Sequence, residues 1–251
     1  MFSASFEAGG AILKKIVEII KDKEHIPEGV LFVSQDGITL QSMDSSHVAL
    51  VDLFIRPNAA LSFECNNTYR LGINFDALSK IFKCSISTGI CILHYDPKEQ
   101  NDILTITFEG GKKAAFEMKL LDIDSERMNV PETTHECQQI IDALDIQKII
   151  KDMSVFSEDV TISRNVRNLV FTSNGESTNA SVELIVAETY TGKYSGQYSL
   201  KYLSWFAKAS SLCEEALFAL DKQQPLLIQF QNDMMCLKFF LASKVSDDEL
   251  V

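Results

Sequence analysis

The sequence predicts an α+β fold of two tandem, similar domains, each with antiparallel β-sheets and two helices. Most of its 251 residues fall into short segments of alternating polarity, which is typical of half-buried strands. Only four segments have the apolar spacing of amphipathic helices, and no strand–helix–strand series indicates a doubly wound parallel sheet. The order of these elements recurs once along the chain, which predicts two copies of one fold.

The strands are short and are separated by turn residues. The predicted strands include Val30–Ser34, Val48–Ile55, Ile103–Phe108, Ala114–Leu120, Val182–Val186 and Leu226–Phe230. Gly, Asn and Asp tolerate the backbone of tight turns, and they punctuate the chain at Asp36-Gly37, Glu109-Gly110-Gly111, Asn174-Gly175 and Asn232-Asp233. The predicted helices are Ala11–Lys23, Asp76–Cys84, Leu144–Met153 and Lys201–Ser210.

The repeat is visible as three short matches in the same order. Ile19–Asp22 (IIKD) recurs 130 positions later, and Leu78-Ser79 recurs 125 positions later with a lysine at the same distance behind it. Leu104–Phe108 (LTITF) resembles Leu226–Phe230 (LLIQF), 122 positions later. The steadily falling offset is expected of two copies that differ by small loop deletions.

A charged segment between the copies has the composition of a linker. Residues 122–134 (DIDSERMNVPETT) contain Pro131 and show no clean periodicity. We therefore predict an N-terminal domain over 1–121, a connector over 122–134 and a C-terminal domain over 135–251.

The charge of the chain is unevenly distributed. The sequence has 23 Lys and Arg against 35 Asp and Glu, a net charge of −12, which excludes a protein that is basic all over. The four predicted helices nevertheless hold ten of the cations and only five acids. Within each helix a pair of lysines is spaced three or seven residues apart, so the pair lies on one face.

A basic face shared by four helices favours contact with a polyanion, although a lysine-bearing face on a single helix is usually just solvated. Lysine suits contacts with phosphate that do not read sequence. The candidate residues for contact with a polyanion are Lys14, Lys15, Lys21, Lys80, Lys83, Lys148, Lys151, Lys201 and Lys208.

No catalytic or cofactor motif emerges, so we predict a protein that is not an enzyme and holds no cofactor or metal. Asp44–His47 (DSSH) has the residue types of a hydrolytic triad, but four consecutive residues do not normally converge as nucleophile, base and orienter. The Gly-Gly pairs lack the Lys-Ser/Thr of a phosphate-binding loop, and the four His have no metal-ligand spacing.

The six cysteines form no CxxC pair, and no run of about 18 apolar residues could span a membrane. We predict a reducing compartment, no membrane contact, and thiols that act as small core residues.

The segment Gly37–Val51 (GITLQSMDSSHVALV) resembles the proliferating cell nuclear antigen family, the eukaryotic sliding clamps of DNA replication. Within it, MDSSHV is the most family-specific string. Four further strings match in the expected order, ILKKIVEIIKD near the start, LSKIFKC from Leu78, FEMKLLDID from Phe116 and KFFLASK from Lys238.

This resemblance implies two clamp domains per chain, each with curved antiparallel sheets and two helices. Three chains would close head to tail into a homotrimeric ring, with the helices lining the hole around double-stranded DNA. It implies a nuclear processivity factor for DNA replication and DNA repair, without enzymatic activity. A checkpoint-type clamp subunit of a heterotrimer, and a peptide-binding adaptor that never encircles DNA, stay open as alternatives.

The resemblance also implies binding sites for proteins. Short peptide motifs of DNA polymerase, clamp loader, flap endonuclease and ligase type proteins would enter a pocket below the connector. Carried over, this pocket is lined by Met43, His47, Val48, Leu50, Met128, Val130, Pro131, Pro225, Leu241 and Ala242. From the residues alone, each is equally compatible with an ordinary apolar residue of a strand core or a loop. The subunit contact would pair the edge strands Lys112–Leu120 and Ser181–Ala187 through Phe116, Val182 and Leu184.

Overall fold

The chain folds into two compact units, which the computed structural model describes over residues 1–21, 26–124, 135–186 and 190–244. Unit 1 comprises Met1–His47, Val51–Asn129 and Asn232–Leu237. Unit 2 comprises Val48–Leu50, Val130–Gln231 and Lys238–Val251. The predicted connector lies outside the described residues from position 125 to position 134, and the predicted domain bounds stay a prediction.

The first half of the chain contains nine strands and two α-helices within the described ranges. The strands are Phe2–Phe6 (β1), Glu28–Ser34 (β2), Gly37–Met43 (β3), Ala49–Ile55 (β4), Ser62–Cys65 (β5), Tyr69–Asn74 (β6), Ile90–Tyr95 (β7), Ile103–Glu109 (β8) and Lys113–Lys119 (β9). The helices are Ala11–Ile20 (α1) and Phe75–Lys83 (α2), and Pro57–Ala59 forms a 3₁₀ turn.

The second half repeats this order with eight strands in its described part. The strands are Cys137–Asp142 (β10), Asp159–Arg164 (β11), Asn168–Asn174 (β12), Asn179–Ile185 (β13), Tyr194–Ser199 (β14), Glu215–Leu220 (β15), Leu226–Gln231 (β16) and Met235–Leu241 (β17). The helices are Ala143–Met153 (α3) and Leu200–Phe206 (α4), and Ala207–Ser211 forms a 3₁₀ helix.

Strand order confirms the predicted duplication. Hydrogen-bonded strands run in the order β1-β7-β8-β9 in the first copy and β10-β15-β16-β17 in the second, with β5 added beside β1. The runs β4-β3-β2-β6 and β13-β12-β11-β14 also correspond one to one. Neighbouring strands pair antiparallel, as do β8 and β9, where Ile106 lies opposite Phe116. The predicted α+β class with two similar domains is therefore confirmed.

Alternating burial explains these strands. In β4 and β8 every second side chain is buried, because successive residues of a strand point to opposite faces. In unit 1 a row of aromatic rings extends from the core to the edge strand β9. Phe82 packs on Phe108 and Phe108 packs on Phe116, with ring centroids 6.0 and 5.9 Å apart. In unit 2, Phe206 stacks on Phe239 with centroids 4.5 Å apart.

Two of the predicted helices begin and end within one residue of their predicted bounds, and two are shorter. The α1 helix ends at Ile20 because Lys21 has an extended backbone, with φ −60° and ψ 102°. The prediction that the fourth helix continues to Ser210 is wrong for its second half, which is 3₁₀ after Phe206. Ser211 Oγ donates to the Lys208 carbonyl at 3.3 Å, and this local bond competes with regular α-helical pairing.

Short segments cover two of the sheet edges at equivalent places in the repeat. Leu121 forms an isolated antiparallel bridge with Gly72 of β6, and Lys244 forms one with Gln197 of β14. Gly72 is required there, because a Cβ at this position would lie 2.0 Å from the Leu121 carbonyl oxygen. These edges are thus protected against pairing with other chains.

None of the six cysteines forms a disulfide bond. Cys65, Cys91 and Cys137 are buried, as predicted for core thiols, and burial raises the pKa of the Cys91 thiol to about 12. The prediction is wrong for Cys84, which is exposed at the end of α2, while Cys213 and Cys236 are half-buried. In the described ranges, no helix has the length and apolar character needed to cross a membrane.

Candidate DNA-facing helices and partner pocket

In unit 1 the candidate lysines lie on, or directly after, two helices that pack against each other. The α1 helix buries Leu13, Ile16 and Val17, so Lys15 is exposed and Lys14 half-buried on the other side. On α2, Lys80 and Lys83 are exposed in the last turn, where the helix dipole favours cations. The Asn74 side chain caps this helix by accepting from the Ala77 N–H at 2.8 Å.

Asp76 links the two helices of unit 1. Its Oδ1 lies 2.7 Å from the Lys21 ammonium, and its Oδ2 lies 3.5 Å from the Lys80 ammonium. The side chains of Lys21 and Asp76 are only 22% and 32% exposed, whereas that of Lys80 is 73% exposed. Lys21 is therefore a partly buried cation that is paired with Asp76. The sequence did not predict this pair, although the four-residue spacing of Asp76 and Lys80 on one helix was visible in it.

In unit 2 the equivalent lysines project from α3, α4 and the 3₁₀ helix that follows. Asp142 caps α3 by accepting from the N–H groups of Leu144 and Asp145 at 2.8 and 3.2 Å. Gln147 of α3 donates to the Ala207 carbonyl at 3.3 Å and so ties α3 to the 3₁₀ helix. The lysines Lys148, Lys151, Lys201 and Lys208 are all exposed. Each unit thus brings its candidate lysines onto a pair of packed helices.

The DSSH segment forms a tight turn. The Asp44 carboxylate is buried and accepts from the Ser46 N–H at 3.0 Å, and the Asp44 carbonyl accepts from the His47 N–H at 3.0 Å. His47 is exposed with φ 56°, and its Nδ1 lies 3.0 Å from the Sδ of half-buried Met43. The residues are committed to turn geometry, so they do not form a triad.

One candidate pocket residue of unit 2 packs against a small apolar cluster. Half-buried Leu50 packs against Ala219, Leu227 and Phe240, of which only Leu50 was predicted from the sequence. Ala242 is exposed and donates its N–H to the Val48 carbonyl at 3.0 Å. Leu241 is 1% exposed, so its side chain contributes to the interior and not to the surface.

Pro225 is held by a histidine that sequence reasoning did not select. His135 is 6% exposed, and its Nε2 donates to the Pro225 carbonyl at 3.0 Å. The turn before Pro225 is ordered by Asp221, which accepts from the N–H groups of Gln223 and Glu136. Donation by Gln223 is the main cause that lowers the pKa of the Asp221 carboxyl below its usual value.

The remaining candidate pocket residues, Met128, Val130 and Pro131, lie outside the described residues. The start of the predicted connector is described as far as Asp124. There a cavity of about 410 Å³ is lined by Val30, Arg70, Gly72 and residues 121–124, and Arg70 donates to the Ile123 carbonyl at 3.4 Å.

The candidate contact residues lie on edge strands. Within the described ranges, β9 has only β8 as a strand neighbour and β13 has only β12. Phe116 on β9 and Val182 and Leu184 on β13 are half-buried. Each strand therefore offers both apolar side chains and unpaired backbone groups to a partner.

No metal site was found among the described residues, because no three of their His, Cys, Asp and Glu side chains form a cluster that could hold an ion.

Comparison with known proteins gives matches over nearly the whole chain. The family model for the proliferating cell nuclear antigen, N-terminal domain, matches residues 1–127, and that for the C-terminal domain matches residues 129–245. The proliferating cell nuclear antigen of Caenorhabditis elegans is 31% identical over 265 aligned positions, which cover 99% of each chain. The crystal structure of the proliferating cellular nuclear antigen from Entamoeba histolytica superposes with a TM-score of 0.89 at 30% identity, covering 97% of this chain and 99% of that one.

Proposed function

Since this chain belongs to the proliferating cell nuclear antigen family, whose members are DNA sliding clamps without enzymatic activity, we propose that three copies close around duplex DNA and tether replication and repair proteins to it. The observation that carries this proposal is the placement of exposed lysines on a pair of packed helices in both units. The rest of the chain is acidic, which disfavours binding of DNA elsewhere on the surface.

The repeat supports head-to-tail closure. In unit 1, Arg56 just after β4 donates its N–H to the Met234 carbonyl just before β17, at 2.8 Å. In unit 2, the Ala242 N–H just after β17 donates to Val48 just before β4. In the repeat, β9 corresponds to β17 and β13 corresponds to β4. Since β17 and β4 are neighbours in one sheet, the corresponding free edges of β9 and β13 are suited to pair between chains. A contact between unlike edges is heterologous, and it closes into a ring when its rotation permits.

Such a clamp would hold DNA by topology. A closed ring leaves the duplex only by opening or at an end, so weak contacts between lysine and phosphate suffice. A protein tethered to the ring stays at high effective concentration near its substrate. The family's role in DNA replication supports a nuclear location for this chain.

Retention on circular DNA tests the proposal. We expect the purified chain to form a trimer and, after loading by a clamp loader with ATP, to co-elute with nicked plasmid in gel filtration. Cutting the plasmid once with a restriction enzyme should release the chain, because the ring can then slide off the ends. A trimer that never co-elutes with the circle would indicate an adaptor. A monomer at high concentration would indicate a subunit of a heterotrimer.

We further propose that partner peptides bind beside Leu50, on residues Met43, His47, Val48, Pro225 and Ala242, with Met128, Val130 and Pro131 of the connector. The half-buried Leu50 cluster supports this, because it offers apolar area for an aromatic anchor. Ala242 is exposed, and hydrogen bonds from His135 and to Asp221 order the turn at Pro225, so both are suited to contact a peptide.

Replacing Leu50 with Ser is expected to weaken binding of a fluorescent peptide that has one helical turn and two aromatic anchors by about tenfold or more. The reason is that the aromatic anchor loses an apolar wall. Fluorescence anisotropy measures the affinity, and Leu61→Ser is the matched control because Leu61 is a 53% exposed leucine of unit 1 outside the proposed site. Equal affinity of the folded Leu50→Ser variant and the wild type would contradict the proposed site.

A further inference from the structure

Two backbone hydrogen bonds fix the register of β4 and β17 in their common sheet. The Arg56 N–H donates to the Met234 carbonyl at 2.8 Å, and the Ala242 N–H donates to the Val48 carbonyl at 3.0 Å. Val48 and Arg56 are eight positions apart, and so are Met234 and Ala242. The two strands therefore run antiparallel in one register, because a bulge in either strand would make the two counts unequal.

The repeat relates β4 to β13 by a shift of 131 positions. With this shift, the Val30–Gln41 pair of β2 and β3 recurs as the Thr161–Thr172 pair of β11 and β12. The core-facing residues of β4 then match those of β13 almost one for one, since Ala49, Val51, Leu53 and Ile55 correspond to Ala180, Val182, Leu184 and Val186. The apolar face of β4 is thus present a second time on the free edge strand β13.

The repeat relates β17 to β9 by a shift of 123 positions. This is the spacing between Leu121 and Lys244, which form the equivalent bridges that cover the sheet edges. With this shift, the buried residues Leu237, Phe239 and Leu241 correspond to Ala114, Phe116 and Met118. Two of the three positions keep a large apolar side chain on β9, and the third, Ala114, holds a smaller one.

We propose that copies of this chain pair β9 with β13 in the register that β17 and β4 have within one chain. The bond between the end of β17 and the start of β4 then recurs between chains, where the Lys119 N–H of one chain donates to the Asn179 carbonyl of the next. Counting along both strands from this bond places Phe116 directly opposite Val182. This inference rests on the proposed function, because it concerns the contact that would close the ring.

The same register leaves one loosely packed place in the contact. Ala114 lies opposite Leu184, whereas the corresponding positions within the chain are the buried residues Leu53 and Leu237. An alanine and a leucine bury less apolar area than two leucines, so this place stabilises the contact less than its internal copy does. The contact is therefore firm at Phe116 and loose at Ala114, which suits a ring that must open to admit DNA.

Cysteine pairs in the full chain test the register. Opposite residues of a non-hydrogen-bonded antiparallel pair have Cα atoms about 4.5 Å apart, within the range that a disulfide bridges. We expect Ala114→Cys combined with Leu184→Cys to shift most of the chain to a covalent trimer on a non-reducing gel after mild oxidation with copper phenanthroline. Ala114→Cys combined with Val182→Cys, shifted by two positions, should give no more trimer than the oxidised wild type.

The variant Ala114→Leu tests the loosely packed place without a cross-link. We expect its trimer to dissociate at a protein concentration about tenfold lower than that of the wild type in sedimentation, because each of the contacts gains apolar area. Its half-life on nicked plasmid should be longer for the same reason. Ala115→Leu is the matched control, because it adds the same side chain on the opposite, exposed face of β9.

The outcomes separate this inference from the clamp function. A covalent trimer from the shifted pair and not from the matched pair would overturn the register. Equal dissociation of the Ala114→Leu and Ala115→Leu trimers would overturn the loosely packed place. In both cases a wild type that forms trimers and stays on circular plasmid would still be a clamp. A wild type that stays monomeric at high concentration would refute the homotrimeric ring and this contact together.

Discussion

Replacing Phe116 with Glu is expected to convert the trimer into single chains of 28.1 kDa, as measured by sedimentation. The Phe116 ring continues the aromatic row of unit 1 to the free edge of β9, where we expect it to meet Val182 and Leu184 of the next chain. A carboxylate buried there without a partner costs about 3–5 kcal/mol, and this cost arises at each of the three contacts.

Ala115→Glu is the matched control for this variant. Ala115 is the neighbouring residue on β9, and it is exposed on the opposite face of the strand, so its replacement adds the same charge outside the apolar contact. Leu184→Glu tests the same contact from the other edge and leaves the core of unit 1 untouched. A folded Phe116→Glu variant that sediments as a trimer would refute the assigned contact.

Removing Lys21, Lys83, Lys151 and Lys208 together by substitution with Ala is expected to weaken DNA binding by about tenfold or more at physiological salt while the trimer stays intact. The physical reason is that fewer phosphates are neutralised, so the slope of log affinity against log salt should become shallower by about 0.9 for each phosphate that no longer meets a lysine. Because Asp76 already neutralises part of the charge of Lys21, we expect Lys21 to contribute less than the exposed Lys151.

The control for the lysine variant replaces four cations that lie outside the helices. Lys98, Arg167, Lys193 and Lys222 are exposed, and their removal changes the net charge of the chain by the same amount. Titrations of a fluorescent duplex at several salt concentrations compare the two variants. An equal drop in affinity for both would show that overall charge, and not the helix pairs, determines binding.

Local patterns predicted most of the fold because they act over a few residues. The apolar spacing of Ile16, Ile19 and Ile20 specified the buried side of α1, and the IIKD match located its copy α3. The 3₁₀ end of the fourth helix was not predicted. Side-chain bonds reach the carbonyls of this segment from Ser211 and from Gln147 of another helix, and apolar periodicity does not reveal such bonds.

The candidate site could be predicted only in part, because its details depend on residues far apart in the sequence. The lysines were evident from their spacing, but the Lys21–Asp76 ion pair joins positions 55 residues apart. The bond from His135 to Pro225 likewise spans 90 residues. The same limit applies to Leu241, whose side chain is 1% exposed because it packs within unit 2. An apolar residue in a strand does not by itself show whether it faces the interior or a binding surface.

If copies of this chain pair through the free edges of β9 and β13, the stability of the protein will depend on its concentration. In a single chain, the backbone donors and acceptors at the two edges would face water. Pairing with another copy of the chain would cover them. Dilution would then lower the melting temperature through mass action. At a low concentration in the cell, single chains would unfold and aggregate more readily. The concentration of chains would therefore determine how many closed rings are present.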